Sequence, residues 1–182
     1  MDAWQWLDQA SDEQASAWLL TCCGSTYWVT RMLAHRPFGN QEALHAIARD
    51  EWFGLFPQDW KDAFSQHPRL GDREALRARF PETGALSERE QAGVAAATDE
   101  ELNALAEGNR QYEAKFGYIF IACASGQSAS SLLAMLRARL EHDPAHELMV
   151  AAGEQAKITA LRLDRLPSAS VSAASARGTA PA

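Results

Sequence analysis

The sequence predicts an all-α fold: a single compact domain of seven to nine mostly short helices with one short extended segment. Three observations carry this. Apolar residues recur at three- and four-residue intervals along most of the chain, the period of a helix buried on one face. Ser or Thr stands three residues before Glu or Gln at Ser11, Ser87 and Thr98, the spacing of a capping box. One apolar run, GYIFIACASGQS at 117–128, breaks the helical period.

The elements follow in order. Ser11 and Gln14 open a helix through Ala15, Trp18, Leu19 and Cys22. TYWVTRMLAHRPF is a second helix, ended near Arg36 because Pro37 disfavours helical backbone before it. Asn40 caps a third, with Leu44, Ile47 and Ala48 on its apolar face. PQDWKDAFSQHP is a fourth, with Pro57 at its start and Pro68 past its end. DREALRARF is a brief fifth before Pro81, and Ser87 with Glu90 starts another. Thr98 and Glu101 open a long helix to about Phe116. The run after Gly117 is part β-branched and ends in Gly and Ser, so it reads as extended. SSLLAMLRARLEH is helical again, and Pro144 seeds a last helix to about Leu166, through Leu148, Ala151, Ala152, Ile158 and Leu161. Residues 1–166 thus form the helical domain. Residues 167–182 are an Ala/Ser/Pro-rich tail with almost nothing to bury, predicted disordered.

Composition narrows the class. The 182 residues are 47% apolar and 23% charged, a globular balance able to bury a core without a disulfide or metal staple. The net charge of −7 argues against a nucleic-acid partner, which selects a basic face. Cys22, Cys23 and Cys123 are odd in number and two are adjacent, so no disulfide framework is read and a reducing cytoplasm is expected. The opening residues lack the basic and apolar regions of a signal peptide, and no apolar run is long enough to span a membrane.

Several residues are candidates for chemistry, each with a plainer reading beside it. Pro68 forces His67 out of helical geometry, so its ring stands at a chain corner; the plainer reading is a helix terminator. Histidine is the side chain best suited to moving protons near neutral pH. Ser87, Glu90 and Gln91 sit at a helix start, where free N–H groups favour an anion, but Ser87 and Glu90 also suit a capping box. Arg162 in ITALRLDRL carries a planar fork fitted to a carboxylate, with Arg165 as a rival. His142 and His146 are four apart, yet Pro144 between them breaks the helix, so a metal site is not expected. Cys123 lacks an assignable base partner and reads as a small core residue.

TYWVTRMLAHRPF, HPRLGD, LSEREQAGV, NRQYEAKFGYIFIACASGQS and ITALRLDRL together resemble the 2-oxo-4-hydroxy-4-carboxy-5-ureidoimidazoline (OHCU) decarboxylases in order and spacing. The resemblance covers roughly residues 10–166. It implies an all-α, cofactor-free, commonly homodimeric enzyme of urate degradation that converts its small-molecule substrate OHCU to (S)-allantoin. His67 matches the family's catalytic histidine, with Pro68 lining the site. Ser87, Glu90 and Gln91 match its S-x-x-E-Q motif, with Glu90 as a catalytic partner. Backbone contacts fall on Phe120, Ile121, Ala122, Cys123 and Ala124, and the arginine of the last helix matches Arg162 rather than Arg165. Where many members have Pro after F-G-aromatic, this chain has Ile119.

Overall fold

A computed structural model describes residues 1–68 and 99–167. The helix expected at 72–80, the helix start at Ser87–Glu90, the cap at Thr98 and the tail from residue 168 lie outside the described residues. Among the described residues there are eight helices: α1 (Ala3–Gln9), α2 (Asp12–Cys23), α3 (Thr26–Ala34), α4 (Gln41–Phe53), α5 (Pro57–Phe64), α6 (Asp99–Phe116), α7 (Ala129–Arg139) and α8 (Pro144–Leu163). The all-α class holds. Within the domain read from the sequence two compact units are distinguished, Met1–Asp59 with the chain from Ile158 on, and Trp60–Lys157. The division falls inside α5 and inside α8, so each of these helices contributes to both.

In the first unit the caps read from sequence are formed. Ser11 accepts the Gln14 N–H and Gln14 Oε1 accepts the Ser11 N–H. Asn40 Oδ1 accepts the Ala43 N–H at 2.8 Å. α3 ends at Ala34, two residues before the expected Arg36. α1 was not among the expected elements; its signal is Asp2 three residues before Gln5, whose side-chain oxygen accepts the Asp2 N–H at 2.8 Å. α2 packs on α3, and α3 and α1 pack on α4. The core holds Leu7, Trp18, Leu19, Trp28, Met32, Leu44 and Trp52, with the Trp28 indole donating to the Ala48 carbonyl at 2.9 Å. Burying the ring alone would strand its N–H, so this bond is what lets a tryptophan sit fully inside.

In the second unit α6 packs on α7. Gly108 allows the close approach: a Cβ there would stand 2.6 Å from Leu136 Cδ2. Gly117 ends α6 in the left-handed region, φ 80, with its N–H on the Glu113 carbonyl at 2.8 Å. A side chain there would be strained, and this is why the helical period stops where it does. The twelve residues from Gly117 to Ser128 carry no helix or strand, as the broken period predicts. Ser128 then caps α7, accepting the Ser131 N–H, and Asp143 caps α8 through the N–H groups of Ala145 and His146. α8 stops at Leu163, three residues short of the expected Leu166. No described helix is long and apolar enough to cross a membrane.

The face of α8 differs from its sequence reading. Leu148 and Leu161 are half-buried, whereas Glu147, Glu154, Gln155 and Arg162 are buried among Ala151, Ala152 and Ile158. The apolar period was found correctly, but polar residues occupy several turns of its inner stripe.

Candidate active site

His67 lies in a bend three residues past the end of α5, its N–H on the Phe64 carbonyl at 3.1 Å. Its ring is half-buried, and Pro68 behind it is buried. Phe64, the last residue of α5, meets the Tyr118 ring at 5.3 Å. This contact ties the end of α5 to the start of the non-helical segment at 117–128. Tyr118 also meets Tyr112 edge-on, and Tyr112 meets Phe116 and Phe120. Burial pushes the Tyr118 hydroxyl up to about 12 and raises that of Tyr112 further, so both phenols stay protonated throughout the neutral range.

Among the described residues the segment is held by side chains, with no strand beside it. Asn109 Oδ1 accepts the Phe120 N–H at 3.2 Å. Arg139 Nη1 donates to the Ile121 carbonyl at 2.8 Å. Glu154 Oε2 accepts the Cys123 N–H at 2.7 Å. The Ala124 carbonyl accepts the Gln127 N–H at 3.0 Å. Phe120, Ile121, Ala122 and Ala124 are buried, while Cys123 is half-exposed, not the core residue expected of it. Ile119, at the position where the resemblance has proline, is also buried.

Behind the segment lies a buried ionic cluster. Glu147 accepts from Arg139 Nε at 2.8 Å and Nη2 at 2.6 Å, from the Tyr112 hydroxyl, and meets His142 Nδ1 at 2.6 Å. Arg139 stacks over the Phe120 ring at 4.6 Å. The His142 and His146 rings meet edge to face at 4.6 Å. Sequence reading passed over Arg139, Glu147 and Glu154. A signal existed: Arg139 falls on the stripe Leu132, Leu136, Arg139, and Glu147 precedes Ala151 by one turn, both charges in register with apolar faces.

Arg162 belongs to the first unit and is buried, at 7% exposure. Its Nη1 donates to the carbonyls of Thr21 at 3.1 Å and Cys22 at 3.2 Å. These are last-turn carbonyls of α2, where a cation is favoured. The rival Arg165 is half-buried in the turn after α8. Cys23 beside this contact is pushed up to about 12 by burial, which makes it a thiol at physiological pH and not a nucleophile. Ser87, Glu90 and Gln91 lie outside the described residues. His67, Pro68 and the Phe120–Ala124 segment thus belong to one unit, and Arg162 to the other.

Residues 8–164 match the family model for OHCU decarboxylase. The chain belongs to the OHCU decarboxylase family. It is 38% identical over 146 residues to the uric acid degradation bifunctional protein TTL of Arabidopsis thaliana, covering 80% of this chain and 45% of that one. It is 32% identical over 97 residues to the 2-oxo-4-hydroxy-4-carboxy-5-ureidoimidazoline decarboxylase of Xenopus laevis, covering 53% and 55%. The chain therefore spans about half the length of these two relatives. Among solved structures, OHCU decarboxylase crystallised in the presence of (S)-allantoin is similar with a TM-score of 0.69 and 35% identity, over 85% of this chain and 96% of that one. The family match spans both the His67 corner and Arg162.

Proposed function

We propose that this chain decarboxylates OHCU to (S)-allantoin in urate degradation, without a cofactor. The observation that supports it most is the contact of Phe64, three residues before His67, with Tyr118, two residues before Phe120, in a chain of this family. The chemistry suits such a site. The carboxylate of OHCU leaves a carbon next to a C=N bond. The electron pair released with CO₂ flows into that imine, leaving an enol that takes one proton on one face to become the ketone. The substrate is its own electron sink, so the protein supplies orientation and a directed proton.

In this reading His67 is the acid/base group, and Glu90 orients His67 or holds the ureido N–H groups. Pro68, Ser87 and Gln91 complete the binding surface, and peptide groups of Phe120–Ala124 meet the ring and ureido atoms. Arg162 orients the carboxylate or ring carbonyl. A grip confined to the departing carboxylate would stabilise the ground state and slow the step, so orientation is its main contribution. Homodimeric assembly in the cytoplasm completes the proposal; light scattering in solution should give twice the 20.0 kDa chain mass.

The test couples urate, urate oxidase and hydroxyisourate hydrolase to this protein and follows optical rotation. Added protein should accelerate the appearance of a single allantoin enantiomer. His67→Ala and Glu90→Ala should each abolish that acceleration while leaving the helical circular dichroism unchanged. Racemic drift unaltered by the wild-type protein would sink the activity. Near-wild-type turnover by His67→Ala would sink the role of His67.

A further inference from the structure

We propose that Asn109, Arg139 and Glu154 are positioning residues that fix the Phe120–Cys123 backbone in the one conformation that recognises substrate; this rests on the decarboxylase reading above. Three helices each send one side chain to this segment: α6 sends Asn109, α7 sends Arg139 and α8 sends Glu154. They bind three different peptide groups, at 3.2, 2.8 and 2.7 Å. All three are buried, at 0%, 4% and 8% exposure.

Backbone satisfaction alone is an insufficient reason for this arrangement. Buried N–H and C=O groups do need partners, but a short turn between α6 and α7 would create few such groups. The connection is twelve residues long, against a usual length of about four to six, and long ordered connections of this kind are commonly functional. It is secured with a buried guanidinium and a nearly buried carboxylate, groups whose desolvation makes them poor stabilisers compared with apolar packing. What such groups provide is direction. Arg139 is itself fixed from three sides, by Glu147, by the Tyr112 hydroxyl at 3.3 Å and by the Phe120 ring. The Ile121 carbonyl therefore meets a donor whose orientation is set before any substrate arrives. A substrate dense in donors and acceptors then binds without ordering the segment, which is where preorganisation improves affinity. Because the same peptide groups face substrate before and during reaction, the effect falls on binding more than on the chemical step.

Glu154 gives the cleanest test, since it lies at the edge of the cluster and its other oxygen meets the exposed Lys157. Steady-state kinetics with OHCU should show KM raised about tenfold in Glu154→Ala, the loss of one charge-assisted hydrogen bond, with a smaller fall in kcat. Glu154→Gln keeps an oxygen for the Cys123 N–H and should return KM most of the way to wild type. Amide exchange at Cys123 should quicken in Glu154→Ala and slow again in Glu154→Gln. If Glu154→Ala does not fold, Glu154→Asp is read in its place: it keeps the charge but withdraws the carboxylate by one methylene, and KM should rise likewise. A merely structural residue would lower the amount of active enzyme, hence kcat, and leave KM alone; that result overturns the proposal. A Glu154→Gln variant as impaired in KM as Glu154→Ala overturns it too. Wild-type protein that fails to turn over OHCU would remove the decarboxylase reading and this one together. Active wild type with an unmoved KM in the variants removes this one only.

Discussion

Arg139 and Glu147 are opposite charges held almost wholly out of water, with side-chain exposures of 5% and 0%. Each has surrendered its hydration, and their mutual attraction offsets that loss only while both are present. Arg139→Met would leave Glu147 with the Tyr112 hydroxyl and His142 as its remaining partners, a charge without its main compensation. The expected loss is about 3–5 kcal/mol of unfolding free energy. Adding Glu147→Gln should recover part of it, because the amide no longer needs a cation. Urea denaturation of the two singles and the double measures this. Strict additivity would mean that the pair is not a unit. The register of Arg139 with Leu132 and Leu136 marked it as inward-facing, but its partners could not be read from sequence, because they lie 8 residues away at Glu147 and 18 away at Ile121. The chain corner at His67 was visible, since Pro68, which keeps the helix from continuing, is its immediate neighbour.

At the scale of elements, local signals translated directly into structure. The Ser11–Gln14 box, the Asn40 cap, Pro57, Pro144 and Gly117 all stand where helices begin or end, because each acts through its own backbone or a residue three away. What periodicity could not reveal was why the buried stripe of α8 carries two carboxylates, Glu147 and Glu154, with Gln155 and Arg162, in place of apolar residues. Such a replacement is decided by groups on other helices. Packing of α6 on α7 is also decided across elements, at Gly108. Alanine there would gain about 1 kcal/mol of helix propensity and forfeit about 1–3 kcal/mol by crowding Leu136, which is buried and has little room to turn. Gly108→Ala should therefore be destabilising by about 1 kcal/mol on balance. In a Leu136→Ala background the same change should become neutral or stabilising, since the obstructing methyls are gone. Equal effects in both backgrounds would show that Leu136 is not what the glycine accommodates.

Across the whole molecule, the fold holds titratable groups inside in both units, and this sets its response to alkali. The two units were not separable in the sequence, where the helical pattern runs on through α5 and α8; their division is a matter of which distant residues meet. Cys23 in the first unit is pushed from 9.0 to about 12, and Tyr118 in the second from 10.0 to about 12, both by burial; Tyr112 is raised as well. Each folded-state value lies above the unfolded one, so the unfolded chain gives up these protons first. Between those values the unfolded state binds fewer protons than the native state, and stability falls as pH rises. The contribution is intact below pH 9, begins to fall there through Cys23, and falls faster above pH 10 when the tyrosines join; the parts from Cys23 and Tyr118 are gone by about pH 12, while that of Tyr112, raised further, is still being lost. Thermal denaturation followed by circular dichroism should show a declining midpoint above pH 9, with two of the three tyrosines withheld from the tyrosinate absorbance band until the helices melt. Cys23→Ala should delay the onset towards pH 10, removing the earlier component and leaving the later one. A midpoint level up to pH 11, or tyrosinate forming fully in the native protein, would mean that burial does not hold these protons and that the interior is wetter than its packing indicates.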